Sequence, residues 1–128
     1  MLLDTSGLLC LLHSAEKEHG SAVAHFDARQ VKLTHSYVLA GFVALAQARG
    51  IPPDASLAFV ADLQDSPEVA VVYVDERLHR LALRLLQEPL DKSWSLCDAV
   101  SFVVMQEYVL TGALSSDRHF EQVGYTPC

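Results

Sequence analysis

The chain has 128 residues, of which 51% are hydrophobic and 20% are charged, and its net charge is −7. This length predicts a single domain, spanning residues 1–128, that can bury a core. The negative charge argues against a protein that coats nucleic acid with a basic face, but a nuclease whose carboxylates hold a metal ion is compatible with it. Cys10, Cys97 and Cys128 have no metal-type spacing and indicate reduced thiols.

The apolar opening, MLLDTSGLLCLL, is not expected to be a signal peptide. No basic residue precedes it, Asp4 interrupts it, and no small-residue cleavage site follows. Nor does any segment approach the roughly 18 uncharged apolar residues of a spanning helix. We therefore expect a cytoplasmic protein without a membrane segment.

The first half of the chain alternates strands with helices. In chain order we predict a strand, two helices, a second strand and a third helix: residues 1–4, 7–12, 16–28, 31–34 and 36–49. Ser36 is the expected cap of the third helix, while Gly50 and Pro52 end it.

The second half continues the alternation. We predict a helix, a strand, two helices and a strand (54–64, 69–74, 75–87, 95–109 and 112–116), then a helical turn from Asp117 and a last strand near Tyr125. The expected helix caps are Asp54, Asp75 and Ser95. Strands that alternate with helices predict an α/β fold with a mostly parallel sheet covered on both faces.

Three aspartates stand where such a sheet brings its carboxyl ends together. Asp4 follows the first strand, Asp117 follows the strand at 112–116, and Asp98 lies in the first turn of the helix before that strand. Ligands bind at this edge, so we expect the three side chains to meet there. Close carboxylates repel one another unless a cation joins them, and oxygen ligands suit Mg²⁺ or Mn²⁺. The positions therefore predict a divalent-metal site.

Each acid also has a structural alternative. Ser95 and Asp98 have the spacing of a capping-box variant, and Asp117 has the position of a cap for the turn that follows it. Asp4 is harder to explain structurally, because a buried carboxylate without partners costs free energy. A functional role is therefore favoured for Asp4.

Three segments that contain these acids resemble motifs of the PIN domain family, in the group that includes the VapC-type toxins of toxin–antitoxin pairs. They are MLLDTSGLL, DKSWSLCDAVSFVVM and ALSSDRHFEQVGY. The resemblance covers nearly the whole chain and implies an α/β/α sandwich with a mostly parallel sheet of about four or five strands. It also implies metal-dependent cleavage of RNA, a homodimer and an antitoxin partner.

The resemblance further implies roles for individual residues. Asp4 and Asp98 would be the main ligands of Mg²⁺ or Mn²⁺, with Asp117 close to the ion. Three hydroxyl side chains would orient carboxylates and water: Thr5, Ser6 and Ser115.

One position departs from the family pattern. The second family motif reads Val-Leu-x-Glu or close to it, and in YVLAGFVAL the Glu position is occupied by Gly41. A glycine within a helix costs roughly 1 kcal/mol relative to alanine, so this residue needs a reason. A position that faces the acids is one explanation, and a close helix contact is the other. Loss of the carboxylate implies a weaker metal site.

Further residues near the acids have two interpretations each. His119 and the basic pair Lys92 and Arg118 could contact phosphate, although a half-buried histidine and solvated basic side chains are the ordinary alternatives. Trp94 could stack on a base or pack over the sheet edge. Phe120 is predicted to lie in the core. The sequence thus favours a metal-dependent ribonuclease, and the rival is a catalytically silent PIN domain that binds RNA or a protein.

Overall fold

The computed structural model describes residues 1–28, 31–88, 93–122 and 126–127, and side chains at 122, 126 and 127 are not part of the description. Its strands are β1 (Leu2–Leu3), β2 (Lys32–His35), β3 (Val69–Val72), β4 (Gly112–Leu114) and β5 (Thr126–Pro127). Its helices are α1 (Thr5–Leu12), α2 (His19–Ala28), α3 (Ser36–Ala48), α4 (Pro53–Asp65), α5 (Glu76–Gln87), α6 (Leu96–Glu107) and α7 (His119–Gln122).

Within the described residues the strands form one sheet in the order β3-β2-β1-β4-β5. Each pairing is parallel, and β1 lies in the centre between β2 and β4. Parallel neighbours require crossover connections, which the helices provide. The carboxyl ends of β1 and β4 therefore lie side by side, and this adjacency brings the first and last motifs of the chain together.

The helices cover both faces of the sheet. Leu3 of β1 belongs to a core cluster with residues of α1, α3 and α4, whereas Leu2 belongs to a second cluster with residues of α5, α6 and α7. Adjacent residues of a strand point to opposite faces, so the two clusters are the two layers of a sandwich. Phe120 is fully buried in the second layer, as predicted. The α/β/α sandwich with a parallel sheet is confirmed.

Two predicted helix caps are wrong. His35, and not Ser36, caps α3: its Nδ1 accepts a hydrogen bond from the Val38 backbone N–H at 3.3 Å. The Ser36 hydroxyl instead accepts from Val74 N at 2.9 Å, which ties α3 to the end of β3. At α4, Pro52 occupies the N-cap position and Asp54 lies in the first turn, because Pro53 at the first helical position fixes the start.

The other two caps are confirmed, and several boundaries shift. Asp75 caps α5 and Ser95 caps α6 through their side chains. The helix predicted at 16–28 begins later, at His19, and the strand predicted at 69–74 ends at Val72. The predicted strand at 112–116 ends at Leu114, which leaves the next three residues free to build the site.

Several predictions concern residues outside the described ranges. Tyr125, Lys92 and Cys128 lie there, so the placement of the last strand near 125 is tested only by β5. Cys10 and Cys97 are free thiols. Among the described residues, no helix has the length and apolar character needed to cross a bilayer.

Candidate metal centre

The site begins where β1 and β4 end. Asp4 directly follows β1, and its backbone N–H donates to the Leu114 carbonyl at 3.1 Å, so the sheet pairing holds Asp4 beside the residue that follows β4. That residue, Ser115, donates its hydroxyl to Asp4 Oδ2 at 2.8 Å. Both side chains are buried, at 5% and 4% exposure. The first and last motifs thus meet in one hydrogen bond between residues 111 positions apart.

A serine network extends this contact. Ser115 Oγ accepts from the Asp117 backbone N–H at 2.9 Å, and it lies 3.2 Å from Ser6 Oγ. Because the single Ser115 proton is donated to Asp4, Ser6 must be the donor between the two hydroxyls. Ser6 Oγ in turn accepts from Ser116 N at 3.0 Å. The network fixes the loop after β4 against the start of α1.

Asp98 enters the site from the beginning of α6. Its side chain accepts from Ser95 N at 3.1 Å, and Ser95 Oγ accepts from Asp98 N at 3.0 Å, which is a complete capping box. Asp98 is only 7% exposed, and it lines the same cleft as Asp4 and Asp117. The capping interpretation of Asp98 is therefore confirmed, and the cap fixes the carboxylate at the edge of the cleft.

His119 joins two of the acids. Its Nδ1 lies 2.9 Å from Asp98 Oδ2 and 3.3 Å from Asp117 Oδ1. The Asp117 carboxylate also accepts from the His119 backbone N–H at 2.9 Å, so this acid does cap the turn that follows. Sequence reasoning treated His119 as a half-buried histidine or a phosphate contact, and it missed the bond to Asp98. The sequence signal for this histidine was its Asp-x-His spacing from Asp117. The partner of the ring, Asp98, is 21 positions away in the chain.

One oxygen each of Asp98 and Asp117 and one ring nitrogen of His119 lie within 4.8 Å of one another. Such a donor set suits a divalent ion, because it offers anionic oxygens beside an imidazole. The three residues line a cleft of about 500 Å³ together with Asp4, Thr5 and Ser6. The residues of the cleft therefore fit the divalent metal ion that the sequence predicts.

Asp4 is not one of these three residues, but it lines the same cleft. Burial raises the pKa of the Asp4 carboxyl from 3.8 to about 6, and the charges of Asp98 and Asp117 add to the rise. The hydrogen bonds from Ser115 and from the Thr5 backbone oppose it. The negative charges of the other two acids thus disfavour ionisation of Asp4, as expected for carboxylates that line one cleft.

Gly41 faces the first residue of α1, Thr5, which follows the first acid. A Cβ on Gly41 would lie 3.4 Å from Thr5 Oγ1 and 3.8 Å from Thr5 Cγ2, which are ordinary van der Waals distances. A Cβ on Gly7, in contrast, would collide with the Leu114 carbonyl oxygen, so Gly7 is required by close packing. Position 41 has room for a side chain, and this argues against the close-contact explanation of its glycine.

The remaining predicted residues divide between core and surface. Trp94 packs edge-on against Phe102 with ring centroids 4.8 Å apart, in agreement with the packing alternative. Arg118 is exposed beside Asp117. Cys97 lines the cleft, but burial and the charges of Asp4 and Asp98 raise the pKa of its thiol to about 12. Cys97 is therefore protonated at neutral pH in the metal-free protein.

The fold and the site can be compared with known proteins. The crystal structure of Mycobacterium tuberculosis VapC20, described as a Sarcin-Ricin loop cleaving toxin, is similar to this chain with a TM-score of 0.90 and 26% sequence identity. The match covers 99% of this chain and 97% of that one. No curated protein matches the chain. The model of the PIN domain matches residues 1–125, and the chain therefore belongs to the PIN domain family.

Proposed function

We propose that this protein is a metal-dependent endoribonuclease similar to the VapC-type toxins. The observation that carries the proposal is the convergence of Asp98 and Asp117 with a histidine, next to the buried Asp4, in one cleft of a PIN domain. The similar VapC20 toxin cleaves an RNA loop, which supports RNA as the substrate class. The family resemblance also supports an antitoxin partner and a homodimer.

The proposed cofactor is Mg²⁺ or Mn²⁺, held by Asp4, Asp98 and Asp117. A bound ion of this kind lowers the pKa of a coordinated water and offsets negative charge on the phosphate. The protein itself is acidic, with a net charge of −7, so a cation at the acids is also needed to bring an anionic substrate to them.

The supporting residues have distinct tasks in this proposal. Ser115 holds Asp4 through its hydroxyl and fixes the Asp117 backbone at the same oxygen, so one side chain sets the positions of two acids. Ser6 keeps Ser115 in that orientation, because it donates to the same oxygen. Thr5 contributes its backbone N–H to Asp4 and presents its side chain to Gly41. Arg118 is exposed and follows Asp117 in the chain, and in this proposal it contacts the RNA backbone.

The glycine at position 41 favours a second candidate, a catalytically silent PIN domain that binds RNA or a protein. A Glu side chain at this position would have entered the same region as Thr5, and its absence removes one carboxylate. If the effect resembles loss of a supporting ligand, metal affinity falls by about 10- to 100-fold. We therefore expect reduced rather than absent cleavage.

Cleavage assays on purified protein test the proposal. The substrates are a fluorophore–quencher single-stranded RNA and a sarcin–ricin-type stem-loop, each with Mn²⁺, Mg²⁺ or EDTA. We expect cleavage that needs metal and that falls at least about a hundredfold in Asp117→Asn. Asp54→Asn is the matched control, because Asp54 is exposed on α4.

The outcomes separate the two candidates. RNA binding without cleavage under either ion would support the silent domain. Cleavage that persists in EDTA and in Asp117→Asn would contradict both the metal dependence and the site.

A further inference from the structure

We propose that His119 is a nitrogen ligand of the ion and that it makes the site prefer a first-row transition-metal ion over Mg²⁺. This inference rests on the proposed function for the ion's role in cleavage, but metal binding itself can be measured without RNA. It assigns to His119 a role beyond that of the carboxylates. It adds a nitrogen donor to Asp98 and Asp117 at a site to which position 41 contributes no carboxylate.

The first support is the geometry of the ring nitrogen. His119 Nδ1 lies 2.9 Å from Asp98 Oδ2 and 3.3 Å from Asp117 Oδ1. Adjacent ligands of an octahedral ion with bonds of about 2.1 Å lie about 3.0 Å apart. Both nitrogen–oxygen distances are therefore close to those between neighbouring ligands on one ion, and the three donor residues each offer an atom within 4.8 Å of the others.

The second support is that the ring is held in place by the fold. The His119 backbone N–H donates to Asp117 Oδ1, and the next residue, Phe120, is fully buried. Phe120 packs edge-on against Phe102 of α6, with ring centroids 5.2 Å apart. Helix α7, which carries the imidazole, is thus packed against α6, which carries Asp98. Little ordering of the imidazole is therefore required when an ion binds. Its side chain is 26% exposed, which leaves a path from the cleft to the nitrogen.

The third support is the chemistry of the donor. Mg²⁺ strongly prefers oxygen ligands, whereas imidazole suits transition metals and binds them with affinities that rise from Mn²⁺ to Co²⁺. Without metal, Nδ1 carries the proton that it donates to the carboxylates, which only accept. When the ion binds Nδ1, the neutral ring takes its other tautomer: the proton passes through water from Nδ1 to Nε2, and the total number of protons on the ring does not change.

A different role for His119 makes the opposite prediction. If the ring only donates a hydrogen bond to Asp98 and compensates its charge, it competes with the ion for the same oxygens. Removal of the ring would then tighten the binding of every divalent ion. If His119 is a ligand, its removal weakens transition-metal ions selectively.

Calorimetric titration with Mg²⁺, Mn²⁺ and Co²⁺ distinguishes these roles. In the wild type we expect affinity to rise from Mg²⁺ to Mn²⁺ to Co²⁺. In His119→Ala, the Mn²⁺ affinity should fall at least about tenfold, Co²⁺ more, and Mg²⁺ little. The matched control is His13→Ala, another histidine whose Nδ1 contacts a carboxylate, that of Glu16, but which does not line the cleft. Equal changes for all ions, or tighter binding of all, would overturn the proposal.

Pulsed electron paramagnetic resonance on Mn²⁺-loaded protein gives a direct readout. A coordinated imidazole nitrogen should modulate the electron spin echo in the wild type and in His13→Ala, and the modulation should disappear in His119→Ala. His119→Gln, with a larger polar side chain and no imidazole, gives the same expectation if the alanine variant does not fold. Nitrogen modulation in a protein that does not cleave RNA would refute the proposed function alone, and absence of modulation in a protein that does cleave would refute only this inference.

Discussion

At the scale of single residues, Asp4 illustrates how a buried carboxyl group is held at a cost in stability. Its carboxyl is 5% exposed, and its pKa is raised to about 6 mainly by burial. A raised pKa means that the folded protein binds the proton more tightly than the unfolded chain does. Ionisation of Asp4 above that range therefore destabilises the metal-free fold.

Asp4→Asn should make the metal-free protein more stable at neutral pH. A folded pKa of about 6 against an ordinary value of 3.8 corresponds to a destabilisation of up to roughly 3 kcal/mol when the group is ionised. Asparagine keeps an oxygen that accepts the Ser115 hydroxyl, so the contact survives while the charge is removed. Urea denaturation at pH 7.5 in EDTA should show a gain of about 1 to 3 kcal/mol in the free energy of unfolding.

The same measurement at pH 3.5 is the control for Asp4. Both folded and unfolded Asp4 are largely protonated there, so the gain should nearly disappear. A variant that is less stable than the wild type at pH 7.5 would mean that Asp4 is retained for structure.

At the scale of elements, α3 contains a glycine, Gly41, at an interior position. Gly41 lies within the helix and its hypothetical Cβ contacts Thr5 at ordinary distances. Glycine at such a position costs helix stability with no compensating close approach. The helix is therefore less stable than it could be at a position next to Thr5, the residue that follows the first acid.

Gly41→Glu should restore a carboxylate to the cleft. In EDTA we expect a gain of roughly 0.5 to 1 kcal/mol from helix propensity, reduced by repulsion from the other acids. With Mn²⁺ the variant's melting temperature should rise by more than the wild type's, because the ion binds only the folded state. Cleavage of single-stranded RNA should also increase.

Gly41→Gln is the matched control, since it has the same length and similar helix propensity without the charge. It should keep the propensity gain but show the wild-type response to metal. Equal metal-induced stabilisation in all three proteins would mean that a side chain at position 41 does not reach the ion.

The elements also show what the sequence could and could not predict. Alternating strands and helices were sufficient to predict a parallel sheet covered on both faces, whereas the number of strands came from the family resemblance. The acids could be placed because Asp4 and Asp117 follow strands closely and Asp98 stands in a helix's first turn. The cap of α3 could not be predicted, because His35 also bonds to Ser101, 66 positions away on α6. The bond between His119 and Asp98 likewise depends on how α7 packs on α6, which local patterns do not contain.

At the scale of the whole molecule, two buried groups respond to pH in opposite directions. His35 is fully buried between α3 and α6: its Nδ1 accepts from Val38 N, so its Nε2–H donates to Ser101 Oγ at 2.8 Å. Burial lowers the pKa of His35 from 6.5 to about 4. The folded protein therefore resists protonation of His35 and stabilises its neutral form.

The signs of the two contributions follow from linkage. Between pH 6.5 and 4 the unfolded chain binds the His35 proton more readily, so stability is lost as pH falls through this window. For Asp4 the folded protein binds the proton more readily between pH 6 and 3.8, so stability is lost as pH rises. Each pKa shift changes the free energy of unfolding by up to roughly 3 kcal/mol. The two changes nearly cancel in the pH range in which both groups titrate.

In the metal-free wild type, the two groups together should therefore change the free energy of unfolding little between pH 4 and 6, as measured by urea denaturation in EDTA. Asp4→Asn should uncover the His35 contribution, so that its stability falls as pH decreases. His35→Gln should uncover the Asp4 contribution, so that its stability falls as pH increases, whatever its absolute stability. The double variant should lose both slopes, and the other titrating groups are common to all four proteins. Parallel pH profiles in the two single variants would show that these groups do not have opposite shifts in the folded protein.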